Sequence, residues 1–485
     1  MFLDTVKDFI RRVYNNMFNK GTIEQQMNID VAISNTMVNH INLWDSIYTN
    51  HSPWVDKKNV FSMNLGVGIA SEFAKLVTIE FKSEISNNDF LNEEYQVVID
   101  NIRNTVEYAA AKGGIVFKPY ISNGHIEVDI VQADNFYPTA FNSRKEITGA
   151  IMPETKVVGD YTYTRIEYHN FENGTYTIIN KAFKKKNYNN VNFNIDTTLG
   201  NEILLTEVPE WAELVPQITF QNVERPLFSY FKMPFANRID TTSPLGVSIF
   251  ERIADERGGL LRKADELYSN VLWEYEAKQA AVFADRDMFK KPGDYDNKDH
   301  LEDRNNRLYK ILDIDDNSAG TKKLVEYSPE IRDVSLFNGL NQQIRKIEFL
   351  VGLAFGTISD VNDTAKTATE IEKSNQRSYQ TVKDISNNLK VSLKGLIYAM
   401  SHYGQAAGLA VKPVDLEKDV SYDFDDSIMV DRSSELQSMQ TDVSLGILDK
   451  VYYIMEKYKV DKATAKKMIP QETIVKPDPF ASTQN

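Results

Sequence analysis

The sequence predicts an α+β fold, mainly α, on three observations. Residues 113–218 alternate apolar and polar side chains between short turns. Two long segments with helical spacing, 243–275 and 331–403, bracket a short strand-rich insert. The end of the chain, 434–469, reads as a run of short helices. With 485 residues, 42% of them hydrophobic and 11% aromatic, the chain can bury a large core. Its length suits roughly two to four folded units.

Composition also excludes whole classes. Cysteine is absent, so no disulfide framework, thiolate nucleophile or cysteine-ligated metal site can form. Asp4, Lys7, Asp8, Arg11 and Arg12 interrupt the apolar positions of the first 18 residues, leaving no secretory signal to read there. The longest apolar run, 350–355, falls far short of the roughly 20 residues that cross a bilayer. These readings predict a chain that stays in the cytoplasm where it is made, with no membrane partner. A formal net charge of -14 repels a polyanion, which argues against tight nucleic-acid binding and allows only weak or transient contact with DNA.

Taken in order, Phe2, Val6, Phe9, Ile10, Val13 and Met17 predict an amphipathic opening helix. Runs 115–120 and 125–131 flank Ser122, Asn123 and Gly124, and runs 161–169 and 175–181 flank Asn173 and Gly174; both are hairpin signatures. Asn173, Gly174 and Thr175 also spell a glycosylation sequon, but without a route to secretion the turn reading is preferred. Lys184, Lys185 and Lys186, with the asparagine-rich run to Asn194, read as a solvated loop. Ser243 followed by Pro244 reads as a helix start, and Phe250, Ile253, Leu260, Ala264, Leu267, Val271 and Tyr275 hold one face, with a bend expected at Gly258 and Gly259.

Between 280 and 328 the helical period is lost. Runs 280–283, 308–312 and 323–327 read as strands of a small exposed insert, its linking loop made acidic by Asp294, Asp296, Asp299, Glu302 and Asp303. From Ile331 the steps of Val334, Phe337, Leu340, Ile344, Ile347, Val351 and Ala354 predict a second helix, broken by 356–364. A third begins near Lys366, polar at first and then striped by Val382, Ile385, Leu389, Leu393, Leu396, Met400 and Tyr403. Short helices come next at 434–445, 448–457 and 461–469, and the final run 470–485 is expected to be disordered.

No motif for chemistry emerges. There is no phosphate-cradling glycine loop ending in Lys and Ser or Thr, and no H-E-x-x-H. The six histidines, His40, His51, His125, His169, His300 and His402, are scattered and read as surface or capping residues. Glu274, Glu276 and Lys278 match a fragment of metal-dependent nucleases, yet they fall at the end of a predicted helix, where solvated charges are the better reading. Asp313, Asp315 and Asp316, and Asp423, Asp425 and Asp426, lack the glycine and distal glutamate of a calcium loop. The expectation is no catalytic residue, no metal and no cofactor.

The order of parts, with QADNFYPTAF at 132–141, SPLGVSIFE at 243–251 and TATEIEKSNQRSYQTVKDI at 367–385, resembles the portal proteins of tailed bacteriophages, most of all those of siphophages of Gram-positive hosts. The resemblance implies a portal fold and a non-enzymatic, ring-forming subunit, commonly one of twelve, at the capsid vertex of the virion, assembled in the host bacterial cytoplasm. It implies conduction of double-stranded DNA during packaging and ejection, and partners in the terminase large subunit, major capsid and scaffolding proteins and a head-tail adaptor. By position, 1–242 would be a wing of N-terminal helices and β-rich region, 243–276 the first stem helix, 277–330 a small α/β clip and 331–355 the second stem helix. A tunnel loop would lie at 356–366, a long wing helix and return at 367–424, a helical crown at 425–469 and a disordered tail at 470–485.

Under the same resemblance, Gly356, Thr357, Ser359, Asp360, Asn362, Asp363, Thr364 and Lys366 would face the DNA channel, and the five acidic residues of the insert would meet terminase or a connector. Gly356 and the polar run after it are expected to give a mobile loop. Two other readings stay open at this point: a DNA-acting metal-dependent nuclease using Glu274 and Glu276, and another head-joining or minor capsid protein.

Overall fold

The computed structural model describes residues 20–56, 59–79, 81–187, 199–255, 257–278, 281–285, 309–312, 324–327, 330–360, 368–424, 432–458, 460 and 462–469. The expected opening helix, the acidic insert loop, the run to Asn194 and the tail at 470–485 lie outside them. The chain divides into two compact units, Met1–Phe424 and Asp425–Asn485.

The first unit begins with helices α1 (Lys20–Met27), α2 (Asn35–Tyr48) and α3 (Leu65–Thr78), a short strand β1 (Lys82–Ile85), and helices α4 (Asp89–Asp100) and α5 (Ile102–Lys112). Ser34 starts α2 by accepting the Met37 amide at 3.2 Å, and Met37, Ile41, Trp44 and Ile47 then fall on one buried face. Gly113, at a φ of 92°, stops α5 and turns the chain into the sheet region.

Strands β2 (Gly114–Ser122) and β3 (His125–Gln132) meet at Asn123 and Gly124, both left-handed at φ values of 50° and 80°. The hairpin the sequence predicts over Ser122, Asn123 and Gly124 is there, with Ser122 drawn into β2 opposite His125 so that two residues make the turn. Next come β4 (Tyr137–Phe141), β5 (Ile147–Val158), β6 (Tyr161–Glu172), β7 (Thr175–Lys186), β8 (Asn201–Ile203), β9 (Gln217–Gln221) and β10 (Ser229–Lys232). The β6–β7 turn repeats the same device at Asn173 and Gly174. One sheet runs β10-β2-β3, the other β4-β5-β6-β7-β8 with β9 also on β7, and every pair in both is antiparallel. Lys184 to Lys186 are therefore strand and not loop. Lys184 pairs in register with Tyr163 and sits 4.6 Å over the Tyr161 ring, a cation-π contact that uses the charge at the sheet surface.

The remainder of the unit is α6 (Gly259–Ala277), β11 (Ala281–Asp285), β12 (Tyr309–Leu312), β13 (Leu324–Tyr327), α7 (Asp333–Val351), α8 (Ala368–Ala406) and β14 (Val420–Asp423). Strand β14 pairs antiparallel with β1, so Asp423 comes back beside Lys82. Helix α8 is the spine of the core: Ile385, Leu389, Leu393, Leu396 and Met400 are fully buried, the stripe the sequence predicts. Burying each such side chain stabilises the fold by about 1.5–3 kcal/mol. The helix is locked onto β10 where Ser229 donates its hydroxyl to the Ser392 carbonyl at 2.6 Å and Asn388 donates to the Lys232 carbonyl at 3.0 Å. The second unit contains α9 (Arg432–Ser444), α10 (Lys450–Tyr458) and α11 (Lys462–Met468), close to the three helices expected. More of the described chain is helix than strand, and the fold is α+β.

Two more expectations need correction. No helix starts at Ser243. Residues 243–248 form a buried strap without regular structure that leads into a single helical turn at Ile249–Arg252, and the long helix begins only at Gly259. The Ser-Pro signal is real but local: the Ser243 hydroxyl accepts the Leu245 amide, and tertiary packing then overrides propensity. Gly246 lies so close to Gly113 that a Cβ there would stand 2.3 Å from the Gly113 carbonyl oxygen. His169, expected at the surface, is fully buried instead. Its Nε2 is 3.0 Å from Glu167 and its Nδ1 2.5 Å from the Tyr176 hydroxyl. Burial alone would raise the Glu167 carboxyl, but Lys118, His169 and Arg165 outweigh it and hold that group well below the usual carboxylate range.

Gly246→Ala is expected to lower the melting temperature sharply, because the clash is with backbone. Gly68→Ala, a helical position whose Cβ meets nothing within 4 Å, should stabilise by about 0.5–1 kcal/mol. Thermal melts of the two variants beside the parent check both signs.

Candidate functional site

Helices α6 and α7 each have 19 residues, about 28 Å of rise, and lie antiparallel. The start of α6 is set by Gly258 and Gly259, at φ values of 100° and 58°, where the chain reverses so that the Leu260 and Leu261 amides reach the Ile253 carbonyl. Its inner face mixes Leu261, Ala264 and Val271 with three polar side chains, Asp265, Ser269 and Glu274. Each polar group has a purpose in packing. Asp265 accepts the Trp54 indole N–H and the Met63 amide, both at 2.8 Å, and Ser269 accepts the Phe61 amide at 2.8 Å, which straps residues 54–63 along the helix.

The pair is tied at both ends. Near the start of α6, Gln343 of α7 donates to the Leu260 carbonyl at 3.3 Å. At the other end, Arg332 grips Glu274 through its backbone amide (3.3 Å), Nε (3.1 Å) and Nη2 (2.9 Å), while Lys278 donates to the Glu330 carbonyl at 3.1 Å. The Arg332 hydrogen bond, foremost among several contacts, lowers the Glu274 carboxyl to about 2, although burial opposes it. The chain thus leaves α6 and re-enters α7 at one clamped point. Between them lies the three-stranded sheet of the insert, order β12-β11-β13, with β11 parallel to β12 and antiparallel to β13. All three strands match the sequence expectation.

Around this clamped end the helices carry large apolar side chains that the chain does not cover. Trp273 is 63% exposed, Val334 68% and Phe337 46%, with Tyr275 and Ile331 also exposed. At the opposite end Phe349 and Phe355 are exposed with the Arg377 guanidinium 4.4 Å from the Phe349 ring, and Leu260, Leu350 and both phenylalanines line a pocket of about 520 Å³. Apolar exposure on this scale along one helix pair marks an interaction surface.

Glu348 lies in the last turn of α7 and organises the segment beyond it. Its main-chain oxygen accepts the Gly352 and Leu353 amides at 3.1 and 2.9 Å, with Gly352 left-handed. Its fully buried carboxylate accepts Ile358 N (2.6 Å) and Ser359 N (2.9 Å) on one oxygen, and Gly356 N (3.2 Å) and the Ser359 hydroxyl (2.8 Å) on the other. Two turns back along the helix, Asn341 accepts the Asp360 amide at 2.9 Å and donates to its carbonyl at 3.2 Å. Residues 356–360 are therefore held against α7, which corrects the expectation of mobility for this half of the loop. Of the residues expected to face a channel, Thr357 and Asp360 are exposed, Gly356 is half-buried and Ser359 is buried. Asn362, Asp363, Thr364 and Lys366 lie outside the described residues, as do Asp294, Asp296, Asp299, Glu302 and Asp303.

Sequence reasoning missed Glu348 and the Glu274 clamp, though both leave a signal: a carboxylate on the apolar stripe of a helix, beside Ile347 and Val351 in one case and Val271 in the other. Such a group must find partners, because burial without them is costly.

The family described as phage portal protein, SPP1 Gp6-like, matches residues 70–472, a stretch that contains both paired helices, the insert, the held loop and α8. The chain belongs to this family. No curated protein sequence matches the chain. As a portal protein it is structural and not an enzyme, it resides at the capsid vertex of the virion, and it conducts DNA there. Membership implies an oligomeric ring with capsid and terminase partners. The nuclease reading of Glu274 and Glu276 falls with this assignment, and in the portal Glu274 is occupied by Arg332. No helix of the described residues is long and apolar enough to cross a membrane.

Because Glu274 is depressed from its usual 4.5 to about 2, the stability it lends the clamp is complete above pH 4.5 and is lost as pH falls through that window toward 2. Arg332→Ala should return the Glu274 carboxyl to the ordinary carboxylate range, visible as an upward shift of its carboxyl titration by NMR; an unchanged titration refutes the clamp.

Proposed function

We propose that this portal subunit assembles as a ring of twelve in which α6 and α7 form the stem around the DNA. The insert 277–330 is the clip, 356–366 the tunnel loop facing the DNA, and 367–424 the long wing helix and its return. Residues 1–242 form the wing and 425–469 the crown. The observation that carries this reading is the antiparallel helix pair, clamped where the insert leaves it and bearing exposed aromatic side chains for a neighbouring subunit to cover. Covering them would release apolar surface from water at about 25 cal/mol per Å², a drive toward closure of a ring that one subunit cannot close.

The clip sheet supports the same reading. Among the described residues its order leaves β12 and β13 as edges, and edges of a small sheet offer backbone groups to the next copy. The acidic loop with Asp294, Asp296, Asp299, Glu302 and Asp303 would meet the terminase large subunit during packaging and a head-tail adaptor afterwards; the wing would meet major capsid and scaffolding proteins. A net charge of -14 suits a conduit: double-stranded DNA passes without the many phosphate contacts whose counterion release would hold it in place.

Deleting residues 361–364, which leaves the held segment 356–360 in place, should yield rings of unchanged size that package DNA poorly in a purified terminase assay. Normal packaging would remove the loop from the conducting path, and failure to form rings would make it an assembly element.

A further inference from the structure

We propose that Glu348 is a positioning residue for DNA conduction: with Asn341 it fixes residues 356–360 rigidly on α7, so that force on the loop passes to the helix instead of being absorbed by bending at Gly356. This rests on the reading that the loop faces DNA. A glycine at a φ of 89° is a ready hinge, yet here it is denied that freedom. The Glu348 carboxylate is fully buried and, among the described residues, has no lysine, arginine or histidine within ion-pair distance; every partner it has is a donor from the loop itself.

Three backbone amides converging on one carboxylate form an anion nest built from the loop, and charge-assisted bonds of this kind are stronger than neutral ones. Asn341 engages both backbone groups of Asp360 as an adjacent strand would, and Arg345 donates to the same carbonyl at 3.3 Å. Positions 341 and 348 lie two turns apart on one face of α7, so the segment 356–360 runs back along the helix and is held at both of its ends. A carboxylate that served only to cap the helix would need neither Ser359 nor the second grip.

The test is Glu348→Gln in the full chain, since the amide removes the charge and turns one of the two acceptor oxygens into a donor that faces donors. Rings should form with unchanged mass, the amides of Gly356, Ile358 and Ser359 should exchange with deuterium at least about tenfold faster, and packaging per ring should fall. Should this variant fail to form rings, Ser359→Ala, which removes one hydroxyl and spares the carboxylate, carries the same comparison with a smaller change. Unchanged exchange overturns the grip. Faster exchange with undiminished packaging overturns the positioning role. If deleting 361–364 also leaves packaging intact, it is the assignment of the loop to the channel that fails, while the exchange result still judges the grip.

Discussion

The arrangement of this portal depends on one clamp between two positions that are distant in sequence. Glu274, near the last turn of α6, is held by the amide and guanidinium of Arg332, just before α7. With Lys278 reaching the Glu330 carbonyl, this closes the chain around the insert as a stem closes a loop. Without the clamp, the first turn of α7 would have little apolar contact with its partner, since Val334 is exposed and Phe337 meets only the Tyr275 ring at 6.4 Å. The pairing uses hydrogen bonds to a charged group, which hold geometry well, and keeps apolar side chains free for another surface.

The same device recurs at other buried carboxylates. Asp265 gathers an indole and a backbone amide from residues 54–63, Glu348 gathers three amides and a hydroxyl from the loop, and Glu167 sits among Lys118, Arg165 and His169 between the sheets. In each case a charge that would be costly in an apolar interior becomes the organiser of the groups around it. Apolar packing, the α8 stripe included, supplies the main drive to fold. Asp265 and Glu348 decide where the non-helical connections beside them lie.

Much of this was legible in the residues. Asn-Gly turns fixed both hairpins because only left-handed backbone closes a two-residue loop, and the spacing of Ile385, Leu389, Leu393 and Leu396 fixed α8 because each falls one turn on. The three insert strands and the helix at Asp333–Val351 came from the same periodicities. What failed was the stretch before Gly259, where Ser243 and Pro244 carry a correct local signal that close packing of Gly246 on Gly113 overrules. A contact between residues so far apart leaves no trace in either neighbourhood. His169 and the held half of the loop were missed for the same reason: Tyr176 and Phe228 around the one, and Glu348 beneath the other, converge only in three dimensions.

The central claim is that the uncovered face of the helix pair is covered by another copy of the chain. Native mass measurement and negative-stain imaging of the purified full-length protein test it most directly. The account predicts closed rings of about twelve subunits around an open channel. A protein that stays monomeric at every concentration, with capsid protein present, would contradict it.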